Sequence, residues 1–198
     1  MAIEHTQLIH NVFSESIRLH QLVLEQDATP IVSAAAAISI ALARGGKMLV
    51  FGNGGSAADS QHLAAELVGR FMRERRALAV IALTTDTSVL TAVGNDYTYE
   101  RVFARQIEAL GRPGDVALAI STSGGSPNVV AALTVAKGRE MTTIGLTGRD
   151  GGLIGRMVDL HINVPGRSTP RVQEVHRTIL HVMCEIVERE LEQTPAHP

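Results

Sequence analysis

Five short apolar runs constrain this chain more than anything else in it: 47–51, 79–83, 115–120, 141–146 and 160–164. Each gives way to turn-forming residues: Gly52-Asn53-Gly54-Gly55 after the first, Thr84 to Ser88 after the second, Ser121 to Pro127 after the third. Runs this short, bounded by such residues, read as strands, and their near-continuous apolarity marks strands buried on both faces. Helical stretches lie between them, expected at about 56–70, in short pieces up to Gly111, then to Lys137 and finally over 171–193. Strands alternating with helices must pair in parallel, so an α/β three-layer sandwich around a five-stranded parallel sheet is expected. Two helices precede it. One is expected over 4–26 from the spacing of Leu8, Phe13, Ile17, Leu22 and Val23. The other is expected over about 30–44, with Thr29 as cap, Pro30 in the first turn and Gly45-Gly46 as its end. Their apolar positions assign them to core packing and contact with neighbouring copies. No linker interrupts the chain, so 1–198 is read as one domain, with 1–45 as its N-terminal helices.

Composition removes several function classes. A formal net charge of -2 without blocks of like charge speaks against a polyanion partner. Aromatic content of 3% and no Trp leave no stacking platform for nucleic acid. A single cysteine, Cys184, excludes an intrachain disulfide and a thiolate zinc site. The start carries no basic-then-apolar leader, and the 31–43 apolar stretch is too short to span a bilayer, so a cytoplasmic protein without membrane contact is expected.

The first strand leads into Gly52-Asn53-Gly54-Gly55-Ser56, then directly into a helix carrying His62 and Glu66. A turn without side chains lets a ligand touch backbone, and a helix start favours an anion. Four residues separate His62 from Glu66, so they share one helix face as an acid/base or metal-ligand pair. The turn also fits the dinucleotide pattern G-x-G-x-x-A. That pattern wants an acidic residue about twenty positions on at the second strand end, where only the more distant Asp86 stands. No Gly-Lys-Ser/Thr follows, so a Walker loop is absent. Ser121-Thr122-Ser123-Gly124-Gly125-Ser126 reads better as a phosphate cradle, since four hydroxyls and the start of a helix can hold a dianion without a cation. Further titratable candidates are Asn95-Asp96 and the last helix with Gln173, Glu174, His176 and His181. His5, His10, His20, His161, His176 and His197 read as surface or core residues.

On these motifs the chain resembles the sugar isomerase (SIS) domain family, and within it the branch acting on seven-carbon sugar phosphates. The stretches are GNGGSAADSQHLAAEL at 52–67, IALTTDTSVLTAVGNDY at 81–97, GDVALAISTSGGS at 114–126, LTGRDGG at 146–152 and RVQEVHRTILHVMCEIVE at 171–188. The resemblance implies a flavodoxin-like strand order and a homotetramer with active sites between subunits. It implies conversion of D-sedoheptulose 7-phosphate to D-glycero-D-manno-heptose 7-phosphate, the step that opens the route to ADP-heptose and surface polysaccharide such as lipopolysaccharide. It implies one zinc per subunit on His62, Glu66, Gln173 and His181. It also implies substrate contacts from Asn53, Gly54, Gly55, Glu66, Asn95, Asp96, Ser121, Thr122, Ser123, Ser126 and Gln173. The chain departs from the family at Gly125, where Asn is usual, and at Pro170, where some members carry an acidic residue.

An enediol mechanism is expected, with Glu66 as base at C1 and His181 as the acid serving the oxygens. Gln173 and His181 are eight residues apart, about 12 Å of rise on a straight helix. Either that helix starts irregularly near Gln173, or the ligands come from two subunits; the shared site is favoured. The rival reading is a non-catalytic SIS tetramer that binds the replication initiator. Such proteins lack the acidic residue at the position of Glu66, which this chain has.

Overall fold

A computed structural model of the chain describes residues 2–192; His197 and the expected end of the last helix at Gln193 lie outside them. Five parallel strands form one sheet in the order β2-β1-β3-β4-β5. They are β1 (Met48–Gly52), β2 (Val80–Ala82), β3 (Val116–Ser121), β4 (Thr142–Gly148) and β5 (Leu160–Val164). The apolar runs become strands buried on both faces, as expected. In β1 and β3, Met48, Val50, Val116, Leu118 and Ile120 face one core, while Leu49, Phe51, Ala117 and Ala119 face the other.

The first core is closed by α1 (Ala2–Glu25), α2 (Thr29–Ala43), α3 (Gly55–Val68) and α8 (Thr169–Glu192). α8 buries a helical stripe, Val172, Val175, His176, Ile179, Leu180, Met183, Cys184 and Val187, whose spacing of three and one keeps one face apolar. The second core is covered by α5 (Ala104–Leu110), α6 (Pro127–Gly138) and α7 (Gly152–Met157). Between β2 and α5 stand α4 (Thr87–Asp96) and one 3-10 turn, Tyr99–Arg101.

Two local expectations need correction. Thr29 is not the cap of α2. It lies within the helix, and Asp27 accepts both its backbone N–H at 2.9 Å and its hydroxyl at 2.6 Å. The 147–152 loop also leads into α7, a helix of only six residues, too short to carry a readable period. Among the described residues no single helix is long and apolar enough to cross a membrane.

Strand order reverses between β1 and β3, which are direct neighbours. In open parallel sheets such a switch point opens a crevice at the carboxyl ends of the strands. The 52–55 turn and the 121–126 loop flank it, because they follow Gly52 and Ser121, the last residues of these two strands.

Candidate active site

The β1 turn is shaped by close packing. A Cβ on Gly52 would lie 2.6 Å from the Ile120 carbonyl oxygen, and Gly54 holds φ at 56°, where a side chain is strained. α3 leaves the turn without a side-chain cap, and the Ser56 and Ala57 N–H groups turn back to the Asn53 and Gly54 carbonyls, both at 3.0 Å.

The β3 loop gathers hydroxyls. Ser121 Oγ lies 3.4 Å from Ser123 Oγ and 3.2 Å from Ser126 Oγ, and the Gly125 N–H donates to Ser123 Oγ at 3.3 Å. Thr122 completes the run but makes no hydroxyl bond within it. Gly124 has φ 67°, and a Cβ there would collide with the Gly151 carbonyl, so this position requires glycine. Gly125 faces open space. Ser126 precedes α6 with no side-chain cap, Pro127 has no N–H and the Val129 N–H turns back to the Ser126 carbonyl at 3.1 Å, so three serine hydroxyls ahead of the helix dipole are the neutral donors for a phosphate dianion.

α3 and α8 run side by side in the same direction, as three contacts along them show. Gly55 meets the Gln173 amide, Asp59 pairs with Arg177, and His62 meets His181. At the third contact the Nε2 atoms of His62 and His181 are 2.7 Å apart, and His62 Nε2 is 3.3 Å from a Glu66 carboxylate oxygen. The side chains of His62 and Glu66 are 31% and 24% exposed, so the cluster is sheltered yet reachable. Burial first, then the Arg177 charge, hold the His62 imidazole below its usual value, with Glu66 pulling the other way. That favours neutral His62, the form that accepts a proton or ligates a metal.

Two imidazoles and a carboxylate, with ligand atoms all within 4.8 Å of one another, match a divalent metal held by three protein ligands with a position left open. Gln173 stands apart from this group. α8 is continuous from Thr169, so the irregular start, the less favoured of the two alternatives, is not observed, and the Gln173 amide lies over Gly55. Gly55 and His62 are seven residues apart on α3, about 10 Å of rise.

Asn95 and Asp96 close α4, both exposed and bonded to each other at 2.8 Å. Asn53, by contrast, is tightly held: its amide pairs with that of Asn128, and its oxygen accepts from the Tyr99 hydroxyl at 3.3 Å. His176 is wholly buried, its Nε2 2.9 Å from the Thr147 carbonyl oxygen. His161 reaches the Thr147 hydroxyl and His20 the Thr178 hydroxyl, in keeping with structural roles. Sequence reasoning missed Asp59, Arg177, Asn128 and Tyr99. Asp59 alone carried a signal, since it precedes His62 by three residues on the same face.

The SIS domain family matches residues 12–148. Phosphoheptose isomerase of Geotalea daltonii is 58% identical over 179 residues, 88% of this chain and 93% of that protein. The enzyme of the same name from a Roseiflexus species is 54% identical over 186 residues, 94% of each chain. The solved structure of phosphoheptose isomerase GmhA from Neisseria gonorrhoeae superposes with a TM-score of 0.88 at 48% identity, covering 93% of this chain and 98% of that one.

Proposed function

The chain belongs to the phosphoheptose isomerases of the SIS-domain family, and from that premise we propose that it converts D-sedoheptulose 7-phosphate to D-glycero-D-manno-heptose 7-phosphate through an enediol. The observation that carries this reading is the half-buried cluster of His62 and Glu66, on the helix that leaves the β1 turn, with His181 of α8. The serine loop, 121–126, anchors the phosphate. The 52–55 turn, Gln173, Asn95 and Asp96 meet the sugar.

Ketose and aldose differ by one proton on carbon and one on oxygen. Glu66 removes a proton from C1 while His181 gives one to the C2 oxygen, which yields the enediol. His181 then takes the proton from the C1 oxygen, and the Glu66 carboxyl, its proton having exchanged with solvent, gives one to C2, so both groups end as they began. Zinc on His62, Glu66 and His181 would supply Lewis-acid polarisation of the carbonyl. Nε2 of His181 holds a proton or a metal ion, not both, so chelation separates its two roles.

The exposed apolar residues of α1, Ile3, Leu8, Phe13, Ile17 and Leu24 among them, support contact between copies in a homotetramer with shared active sites. Glu66 beside two histidines supports an enzyme over an initiator-binding protein. The aldose product would feed ADP-heptose synthesis for surface polysaccharide, in the cytoplasm. The test is turnover of sedoheptulose 7-phosphate with the aldehyde product trapped, before and after chelation. Activity lost with the metal and returned by zinc makes the metal part of the reaction and supports the ligand role of the cluster that holds His181. Activity indifferent to chelation leaves it the proton carrier. No aldose under either condition overturns the reading.

A further inference from the structure

Asn128 is 3% exposed, at the second position of α6, immediately behind the serine loop. Its amide and that of Asn53 bond reciprocally across the switch point. Asn53 donates from Nδ2 to Asn128 Oδ1 at 2.8 Å, and Asn128 donates from Nδ2 to Asn53 Oδ1 at 2.9 Å. The Tyr99 hydroxyl donates to the same Asn53 oxygen. A primary amide has two acceptor lone pairs and two N–H donors. Both lone pairs of Asn53 are therefore occupied, and so is one N–H. A single N–H remains for a ligand.

We propose that Asn128 is a positioning residue of the isomerase, locking the Asn53 amide so that it meets substrate as a donor only. The proposal rests on the reading of Asn53 as a substrate contact. A group that donates but cannot accept suits an oxygen without a proton: the ketone carbonyl, and more strongly the oxygen that gains negative charge on the way to the enediol. It suits a sugar hydroxyl less well, since that hydroxyl loses its own acceptor. Asn128 also follows directly on Ser126 and Pro127, so one buried side chain ties the phosphate loop to the turn that meets the reacting end.

The test is a double-mutant cycle with sedoheptulose 7-phosphate as probe. As a carboxylate, Asn128→Asp keeps the shape but does not donate, so the Asn53 oxygen faces another oxygen and loses the bond that locks its amide. The expected result is a fall in kcat of the folded protein of about 10–100-fold, somewhat below that for deleting a donor outright, with KM little moved. In an Asn53→Ala background the same substitution should change nothing further, because Asn128 acts through Asn53. Additive losses, or wild-type kcat in Asn128→Asp, overturn the positioning role. Wild-type kcat in Asn53→Ala instead removes the underlying contact. Asn128→Ser, which also lacks the amide pair, runs through the same cycle should the Asp variant fold poorly.

Discussion

Two glutamates on the paired helices α3 and α8 meet opposite fates. Glu188, on α8, has 1% of its surface exposed, and four donors fill its two oxygens. The Phe71 N–H and Arg75 Nε reach one oxygen at 2.9 and 3.1 Å, and the Met72 and Arg73 N–H groups reach the other at 3.0 and 3.1 Å. Arg75 in turn donates to the Glu66 and Leu67 carbonyls, closing the last turn of α3. Glu66, on α3, is quarter-exposed, with the His62 nitrogen 3.3 Å from its carboxylate and a His181 nitrogen within 4.8 Å. A charge that holds the fold is saturated and dry, while a charge proposed for chemistry keeps spare capacity and an approach from solvent. The saturated pair also carries the reactive one, because the carbonyl of Glu66 itself is among those Arg75 secures.

Breaking the saturated pair should give the largest change in stability and little change in chemistry. Removing one partner of a buried ion pair costs about 3–5 kcal/mol. Glu188→Gln should therefore lower Tm by roughly 10 °C, measured by calorimetry, while kcat of the folded protein stays within about twofold.

Acid sharpens the same contrast. Burial pushes the Glu188 carboxyl up, but the Met72 and Phe71 N–H groups, the Arg75 guanidinium and the Arg73 N–H outweigh it and hold the group below its usual value. A carboxyl depressed in the folded state stabilises above its unfolded pKa and loses that stability as pH falls through the folded value. Urea midpoints across pH 6 to 3 should fall for the wild type and fall less steeply for Glu188→Gln.

The smallest effect belongs to the phosphate loop. An added Cβ at Gly125 meets no atom within 4 Å, and the position lacks a left-handed φ. Gly125→Asn, the residue usual in the family, should leave Tm unchanged and move KM by less than about threefold; a larger shift would assign this residue a part in substrate choice.

The sheet was legible because strands buried on both faces are apolar throughout and end at small residues. The His62/Glu66 pair was legible because four residues on one helix make a face. His181 entered through family resemblance, since nothing in its local spacing points across 119 residues to His62. Arg75 and Glu188 were not legible for the same reason: their pairing spans 113 residues. Asn128 follows a proline at a helix start and reads as ordinary capping; only the fold turns it toward Asn53. For Gln173 the spacing did carry information. Eight residues is about 12 Å of rise, marginal for one metal, and α8 runs as one helix through both Gln173 and His181.

The most direct test of the central claim is the reaction run in deuterium oxide with sedoheptulose 7-phosphate and followed by proton NMR. The wild type should form aldose carrying deuterium at C2, and Glu66→Gln, nearly identical in shape, should form it about 10²–10⁴-fold more slowly at unchanged Tm. Wild-type turnover in Glu66→Gln would contradict proton transfer by Glu66.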